Sequence, residues 1–425
     1  MRRYERTEET APGRQRPDAP FRRRGRWLRR VAHIIVVVVA LCLAAIVACV
    51  LYLAVRRGAP VALPRPTGPY GVGRVEYDWV DPTRADPFAP TRTRGSKREL
   101  AVWVWYPATP APGSAPAPYL PAAWADAREA DRGAWALLYQ RIGAVRAHAV
   151  AHAPVAPAPR RFPVVIFEPG LGSLPTDYTT LLEDLASHGY VVVGITPTDS
   201  AAVVVFPDGR MVPSVDAARE PTVQGGALDA LTLLWARDVR FVLDRLHTLA
   251  GDAGDPLAGH LDLARIAVFG HSFGGAAAAE ACRADHRCQA VIDIDGDPFG
   301  AVARVGLRQP VLFLMGDDFW AGSCDALCRQ ARRGVATIYA SAGPSAGHYE
   351  ATIRGTRHFN FMDYAVLFDP LDKPAGLRGS IDGGRGLTIT RAYVRAFFDA
   401  YLKHAAATLL TGTASAYPEV VSKAH

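Results

Sequence analysis

Lysine is scarce in this 425-residue sequence, whose 48 basic residues include only Lys97, Lys373, Lys403 and Lys423. A nucleic-acid-binding domain needs basic residues clustered on its folded surface, and neither such a stripe nor a zinc-finger or RNA-binding motif is present. A Gly-rich phosphate loop, a dinucleotide-binding fingerprint and internal repeats are also missing. A hydrophobic content of 49% with 21% charged residues excludes a disordered chain and a minimal disulfide scaffold. The remaining class is a folded enzyme or receptor domain, and no nucleic-acid partner is expected.

The excess positive charge lies at the N-terminus. The formal net charge is +7, but residues 1–57 contain 13 arginines and 4 acidic residues, a net charge of +9. The other 35 basic and 37 acidic residues give the body of the protein a net charge of −2. The basic balance therefore describes the N-terminal segment and not the folded body.

An uncharged run of 25 residues, Val31–Val55, follows this basic segment. As a helix it would be about 37 Å long, which is enough to cross a bilayer. Many arginines precede the run and only Arg56 and Arg57 follow it directly, so the positive-inside rule keeps the N-terminus in the cytoplasm and exports the body. We expect a transmembrane signal anchor, which makes the membrane a partner, with a cleaved signal peptide and secretion as the alternative.

Two of the six cysteines, Cys42 and Cys49, lie in the apolar run. The other four lie in the body: Cys282, Cys288, Cys324 and Cys328. An even number of cysteines in an exported domain fits two disulfides, and pairing within each local pair is the simplest of three connectivities. A zinc site of four thiolates is the alternative, although neither spacing is the usual Cys-x2-Cys.

Short apolar runs rich in β-branched residues alternate with helical segments in the second half of the body. The runs are Pro163–Phe167, Tyr190–Ile195, Ile266–Phe269, Ala290–Ile294 and Val311–Met315, and the helical segments are Tyr178–His188, Leu228–Leu249 and Gly274–Arg283. Such runs indicate parallel strands buried on both faces. The alternation predicts an α/β fold with an open, doubly wound, mostly parallel sheet.

The predicted organisation is a series of segments along the chain. They are a basic tail over 1–30, the apolar helix over 31–55, a Pro-rich linker over 56–66, a folded domain over 67–408 and a loose C-terminal tail over 409–425. Residues 109–160 are rich in Ala and Pro around a predicted helical centre, Trp124–Val150, and form either a cap over a site or a solvated insertion.

The strongest local motif is Gly270-His271-Ser272-Phe273-Gly274, which lies between an apolar strand and a helix of small residues. This context is that of a nucleophile elbow, in which a serine occupies a sharp, strained turn between strand and helix. The flanking glycines let the strand and the helix approach closely. Ser272 is therefore the candidate nucleophile.

A serine nucleophile on such a sheet needs an acid and then a histidine later in the chain. His358 follows a β-like segment and can reach over the carboxyl edge of the sheet, which makes it a better candidate base than His348. Candidate acids end two successive strands: Asp293, Asp295 and Asp297 on one, and Asp317 and Asp318 on the next. Spacing alone does not choose between the two strand ends.

Four segments carry a resemblance to a known family: Pro163–Gly172, Asp184–Tyr190, Arg265–Gly275 and Thr352–Asp363. Together they resemble the plasma-type (isoform II) platelet-activating factor acetylhydrolases of the α/β-hydrolase superfamily, from about Thr67 to His404. In that family the acid stands in an Asp-x-x-x-Phe context, which Asp295 and Phe299 match. The resemblance therefore implies Asp295 as the acid, with Asp317 and Asp318 as alternatives.

The resemblance also implies an oxyanion hole made by the backbone N–H groups of Leu171 and Phe273. Family members usually carry Ser-His-Gly where this chain has Glu168-Pro169-Gly170. A carboxylate beside the hole would disfavour an oxyanion unless it points away or is paired. We expect Glu168 to serve as a supporting hydrogen-bonding residue and not as a catalytic one.

The implied activity is hydrolysis of esters with short or modest acyl chains, phospholipids included, through an acyl-Ser272 intermediate. No metal and no cofactor are expected. A polyester or lipase-type hydrolase and an acyltransferase are alternatives at the same site, and a catalytically silent, membrane-tethered binding protein is the alternative from another class. The sequence makes no prediction of oligomeric state.

Overall fold

The computed structural model describes residues 20–88, 96–215, 226–319, 326–341, 347–367, 376–412 and 416–424. The chain forms two compact units, Met1–Arg56 and Arg57–His425. A long helix, α1, spans Pro20–Gly58, and its residues Gly25–Gly58 are long and apolar enough to cross a membrane. Helix α1 begins at Pro20 and so includes residues 20–30 of the predicted basic tail.

The described body contains fourteen strands. They are β1 Val61–Ala62, β2 Gly71–Ala85, β3 Lys97–Ala108, β4 Val145–Arg146, β5 Val150–Ala151, β6 Phe162–Glu168, β7 Val191–Thr196, β8 Val203–Val205, β9 Met211–Pro213, β10 Leu261–His271, β11 Cys288–Ile294, β12 Val311–Gly316, β13 His348–Ile353 and β14 Val420–Ala424.

Nine α-helices follow α1 in the described residues. They are α2 Ala122–Arg132, α3 Thr179–Ser187, α4 Ala227–Ala250, α5 Phe273–Ala284, α6 Val302–Val305, α7 Ala326–Ala340, α8 Tyr364–Leu367, α9 Gly383–Lys403 and α10 Thr408–Thr411.

Ten strands form the central sheet, in the order β14-β13-β12-β11-β10-β6-β7-β3-β2-β5. The six neighbours from β13 to β7 are parallel, whereas β3 and β14 run antiparallel to the strands beside them. The carboxyl ends of the parallel strands meet at one edge, where ligand sites of such sheets lie. The predicted α/β fold with a mostly parallel sheet is confirmed.

Both faces of the sheet are covered, which explains why its parallel strands read as continuous apolar runs. Along β6, Val165 and Phe167 point into one buried cluster, which also includes side chains of α3 and α9. Val164 and Ile166 point into a second cluster with α4 and α7 on the opposite face. The alternation is the period of two that a strand imposes on its side chains.

The structure differs from the predicted organisation in three places. Residues 420–424 form strand β14, which pairs with β13, and are not a loose tail. The predicted helix over Trp124–Val150 ends at Arg132, because Gly133 takes a positive φ of 52° and the chain continues in short 3₁₀ turns and strands. Strand β1 lies within the predicted linker and pairs with β4.

Candidate active site

Ser272 stands in the turn between β10 and α5, with φ 57° and ψ −126°. A positive φ is strained for a residue with a side chain, so the surrounding structure must hold it. A Cβ on Gly270 would lie 2.2 Å from the carbonyl group of Gly274, and one on Gly274 would lie 2.2 Å from the Glu168 carbonyl oxygen. The elbow thus needs glycine on both sides of the serine.

His358 begins a 3₁₀ turn, His358–Phe361, that follows β13. Its Nδ1 lies 2.6 Å from Oδ2 of Asp295, and the other Asp295 oxygen accepts the Gly316 N–H at 2.7 Å. Asp295 follows β11 with a φ of 51°, and its side chain is only 6% exposed. The two oxygens of one buried carboxylate therefore each accept one hydrogen bond.

The hydrogen-bonded pair shifts both pKa values toward the charged forms. Burial lowers the pKa of His358, but the hydrogen bond and charge of Asp295 outweigh burial and leave this pKa above its ordinary value. Burial raises the pKa of Asp295, but the hydrogen bond and charge of His358 leave it below its ordinary value. This is the arrangement in which an imidazole is oriented and its protonated form stabilised.

The candidate base His358 lies beside the residue that precedes the candidate nucleophile. The ring of His271, the residue before Ser272, lies 4.5 Å from the His358 ring between centroids. Within the described residues, no hydrogen bond joins Ser272 to His358. Such contacts commonly tighten only when substrate binds.

The other acid candidates at the end of the neighbouring strand are engaged elsewhere. Asp317 accepts the Gly355 N–H at 2.9 Å and so contacts the loop that leads to His358. Asp318 is 53% exposed and lies 3.9 Å from the guanidinium of Arg357. Of the residues that spacing leaves open as the acid, Asp295 is the one hydrogen-bonded to His358.

Asp293 and His348 also lie away from this hydrogen bond. Asp293 is buried, and burial, followed by the charges of Asp297 and Asp295, raises its pKa well above the ordinary value. His348 is the first residue of β13, where its Nε2 lies 3.1 Å from the Gln309 carbonyl oxygen. Asp297 adds negative charge that favours protonated His358.

The two backbone N–H groups implied as oxyanion donors, those of Leu171 and Phe273, have no acceptor among the described residues. Phe273 is the first residue of α5, so its N–H has no acceptor within the helix. Leu171 lies in the turn after β6, and its N–H has no acceptor among the described residues, whereas Gly172 and Ser173 beside it both donate to backbone carbonyls. Both N–H groups are therefore free to serve as the oxyanion donors that the resemblance implies.

Glu168 ends β6 and is fully buried. The expected hydrogen-bonding role is not seen, because neither carboxyl oxygen has a hydrogen-bond partner among the described residues. Burial, followed by the charge of Asp238, raises its pKa well above the ordinary value, with Arg98 opposing the shift. This shift favours the uncharged carboxyl of Glu168 and so weakens the expected conflict with an oxyanion.

Tyr178 and His271 are site residues that the sequence analysis did not assign. Tyr178 ends the 3₁₀ turn Pro175–Tyr178, and its hydroxyl lies 2.8 Å from Nδ1 of His271. Burial, followed by the charge of His358, lowers the pKa of His271 to about 3. His271 stands inside the elbow motif, but no sequence signal singles out Tyr178.

A metal-binding role fits these side chains less well than proton transfer does. Donor atoms of His271, Asp295 and His358 lie within 4.8 Å of one another, and zinc accepts such ligands. However, Nδ1 of His358 is hydrogen-bonded to Asp295, and both ring nitrogens of His271 have hydrogen-bond partners. Most of the donor atoms that a metal ion would need are therefore already used in hydrogen bonds.

A disulfide joins the end of α5, the helix after Ser272, to the start of β11, the strand before Asp295. Cys282 of α5 is bonded to Cys288 of β11, as expected for a local pair. Cys328 is also disulfide-bonded, and Cys324 lies outside the described residues. Cys42 and Cys49 are free thiols.

Comparison with known proteins connects this geometry to named enzymes. The family model of platelet-activating factor acetylhydrolase, isoform II, matches residues 59–212 and 252–407. The platelet-activating factor acetylhydrolase of Cavia porcellus is 25% identical over 291 residues, which are 63% of each chain. The probable 1-alkyl-2-acetylglycerophosphocholine esterase of Arthroderma benhamiae is 26% identical over 284 residues, 61% of this chain and 65% of the relative. The chain thus spans just under two thirds of the length of these relatives.

A solved structure matches more of the fold. The ferulic acid esterase from Streptomyces cinnamoneus is 30% identical and superposes with a TM-score of 0.71, covering 86% of this chain and 99% of its own. The family model covers well over half of the chain, including the segments that carry Ser272, Asp295 and His358. The chain therefore belongs to the platelet-activating factor acetylhydrolase isoform II family of α/β-hydrolases.

Proposed function

We propose that this protein is a serine hydrolase of carboxylic esters that works through an acyl-Ser272 intermediate. The observation that carries the proposal is the 2.6 Å hydrogen bond between Asp295 and His358, beside a serine in a strained elbow. Family membership and the esterase fold neighbour support the same chemistry.

In the proposed mechanism, His358 removes the hydroxyl proton of Ser272 through Nε2 while Asp295 holds the tautomer with hydrogen on Nδ1. The serine oxygen attacks the ester carbonyl, and the N–H groups of Leu171 and Phe273 donate to the resulting oxyanion. Each such donor is typically worth about 3 to 4 kcal/mol of transition-state stabilisation. The alcohol leaves with the proton from His358, and water then releases the acyl group by the same steps.

The proposed substrates are esters with short or modest acyl chains, phospholipids included. The names of the two relatives refer to platelet-activating factor and 1-alkyl-2-acetylglycerophosphocholine, and the fold neighbour is a ferulic acid esterase. Polyester or lipase-type hydrolysis and acyl transfer to an alcohol use the same residues and remain the alternatives, followed by a silent binding protein.

We also propose that residues 31–55 are a retained signal anchor and that the catalytic domain lies outside the cytoplasm. The arginines before the apolar helix and the Cys282–Cys288 disulfide support this topology. The catalytic domain then starts near Thr67 and runs beyond residue 408 to include β14. The alternative is secretion after cleavage of this segment. Detection of protein with an intact N-terminus in the membrane fraction would refute that alternative.

Labelling with a fluorophosphonate probe tests the proposed nucleophile. Wild type and Ser114→Ala, whose serine is exposed in the insertion, should label equally, and Ser272→Ala should not label. A panel of esters of increasing acyl length, with a phospholipid and a feruloyl ester, then defines the substrate class. An alcohol added as acceptor distinguishes transfer from hydrolysis. If folded wild-type protein shows no Ser272-dependent labelling, the proposal that it is a serine hydrolase is refuted.

A further inference from the structure

A continuous chain of hydrogen bonds runs beneath the candidate site. The Gly170 N–H donates to the Tyr178 hydroxyl oxygen at 3.0 Å, and that oxygen lies 2.8 Å from Nδ1 of His271. Nε2 of His271 lies 3.1 Å from the backbone carbonyl oxygen of His358. Tyr178 and His271 are each only 1% exposed, so water does not compete for these bonds.

The two ends of this chain determine the proton positions between them. The Gly170 N–H can only donate, and the His358 carbonyl can only accept. Nε2 of His271 must therefore carry a hydrogen. In the neutral ring Nδ1 then accepts, so the Tyr178 hydroxyl donates to it. One tautomer of His271 satisfies every bond in the chain.

The ring of His271 stays neutral while the base beside it changes charge. Burial and the charge of His358 disfavour its protonation, which Asp295 only partly offsets. When His358 becomes an imidazolium during the proposed reaction, the neighbouring ring therefore keeps its single proton on Nε2. The hydrogen bond to the His358 carbonyl is preserved through the cycle.

The chain of hydrogen bonds contacts three segments whose relative positions matter for the proposed reaction. Gly170 directly precedes the oxyanion donor Leu171, His271 directly precedes Ser272, and the last acceptor is the backbone of His358 itself. We infer that Tyr178 and His271 are positioning residues that hold the oxyanion loop, the nucleophile and the base at fixed relative positions. This inference rests on the proposed function.

The reason for expecting a kinetic effect is geometric. Displacement of reacting groups by about 1 Å can reduce turnover about 100-fold. Tyr178→Phe removes the hydroxyl and leaves the Gly170 N–H and Nδ1 of His271 without their partner. We expect kcat to fall about 10- to 100-fold with KM changed less than about threefold, since neither side chain touches the substrate in the proposed reaction.

Tyr190→Phe is the matched control. The Tyr190 hydroxyl is also buried and donates to Asp399 at 2.7 Å, but it precedes β7, at the opposite end of the parallel strands from the site. Both variants lose one hydrogen bond from a buried tyrosine, so both should lose thermal stability. A merely structural role predicts equal kcat for the two variants, and that result would overturn the inference.

His271→Gln separates the two halves of the chain. Its amide nitrogen can reach the place of Nε2 and donate to the His358 carbonyl, but it offers no ring nitrogen to Tyr178. We expect this variant to retain more activity than His271→Phe, and Tyr178→Phe to reduce kcat less in the Gln background than in wild type. Equal activity of the Gln and Phe variants would contradict a role for the bond to the base.

Selective ¹⁵N labelling of histidine tests the chain without turnover. The spectra are recorded on the full-length protein in detergent, and the His271 signals are those that disappear in His271→Gln. The His271 ring should be neutral with hydrogen on Nε2 from pH 5 to 8. Its Nδ1 signal should shift in Tyr178→Phe. A tautomer with hydrogen on Nδ1 would refute the chain itself. Loss of Ser272-dependent labelling in wild type would instead refute the proposed function.

Discussion

Replacement of Asp295 by Asn tests the assignment of Asp295 as the acid, and the hydrogen bonds of Asp295 indicate how large the loss of activity should be. Asp295 accepts hydrogen bonds from His358 Nδ1 at 2.6 Å and from the Gly316 N–H at 2.7 Å. Asn has one acceptor oxygen, so in either orientation its NH₂ group faces a donor. If it keeps the bond to Gly316, His358 must move its hydrogen to Nε2 and can no longer accept the proton of Ser272.

The expected loss is large because the wrong tautomer cannot act as a base. The equivalent change in a serine protease triad lowers kcat about 10⁴-fold, which corresponds to about 5.5 kcal/mol of activation free energy. The free energy of unfolding should fall by only about 1.5 to 3 kcal/mol, the usual contribution of a hydrogen bond to a charged group. Stopped-flow hydrolysis of a chromogenic ester and urea unfolding measure the two quantities.

The pH profile adds a second readout. Asp295 helps to raise the pKa of His358 above its ordinary value, and the base must be neutral to act. The acid limb of the kcat/KM profile of wild type should therefore lie above the ordinary histidine pKa of about 6.5, and the residual activity of Asp295→Asn should have its limb at lower pH.

Asp318→Asn is the control for this prediction, because Asp318 is half-exposed and influences His358 only through its charge. We expect its kcat to stay within about threefold of wild type, since exposed charges are screened. Folded Asp295→Asn with kcat within tenfold of wild type, or a larger loss in Asp318→Asn, would refute the acid assignment.

Three further predictions concern stability. Burial raises the pKa of Asp363 to about 8, whereas the carboxyl pKa in the unfolded chain is about 4, so the folded protein loses stability as pH rises between these values. The free energy of unfolding of Asp363→Asn should therefore increase relative to that of wild type from pH 5 to 8.5. A difference between the two proteins that does not change with pH would contradict this. Gly274→Ala should abolish folding or fluorophosphonate labelling, because its Cβ would lie 2.2 Å from a β6 carbonyl oxygen, while Gly143→Ala, with open space around it, should label normally. Replacing Cys282 and Cys288 by Ala should lower the free energy of unfolding by about 2 kcal/mol for so short a loop without changing kcat, as measured by urea unfolding and ester assay.

The elbow was predictable from sequence because every part of it is local. The strand, the glycines around Ser272 and the helix lie within about twenty residues, and each has a residue pattern of its own. Five of the six parallel strands were predictable for the same reason, since burial on both faces leaves an apolar run; β13 was not among the predicted runs. The bounds of these five strands differ from the predicted runs by one or two residues at an end, except for β10, which begins at Leu261.

The acid was not predictable from spacing because its choice depends on the backbone of a turn. Two successive strands end in aspartates, and the positive φ of Asp295 is one of the features that direct its carboxylate toward His358. Only the resemblance to a family distinguished it from Asp317 and Asp318. The Tyr178–His271 bond was not predictable either, because it joins residues 93 positions apart that belong to no shared motif.

Strand β14 has a consequence for handling the protein. It pairs with β13 from Ile353 opposite Val420 to Tyr349 opposite Ala424, and so covers the strand that leads to His358. A chain shortened before Val420 would present the bare N–H and C=O groups of β13 to other molecules, and exposed edges of this kind promote aggregation. Expression vectors should therefore keep the last residues and attach affinity tags through a flexible spacer, so that the edge stays closed in solution.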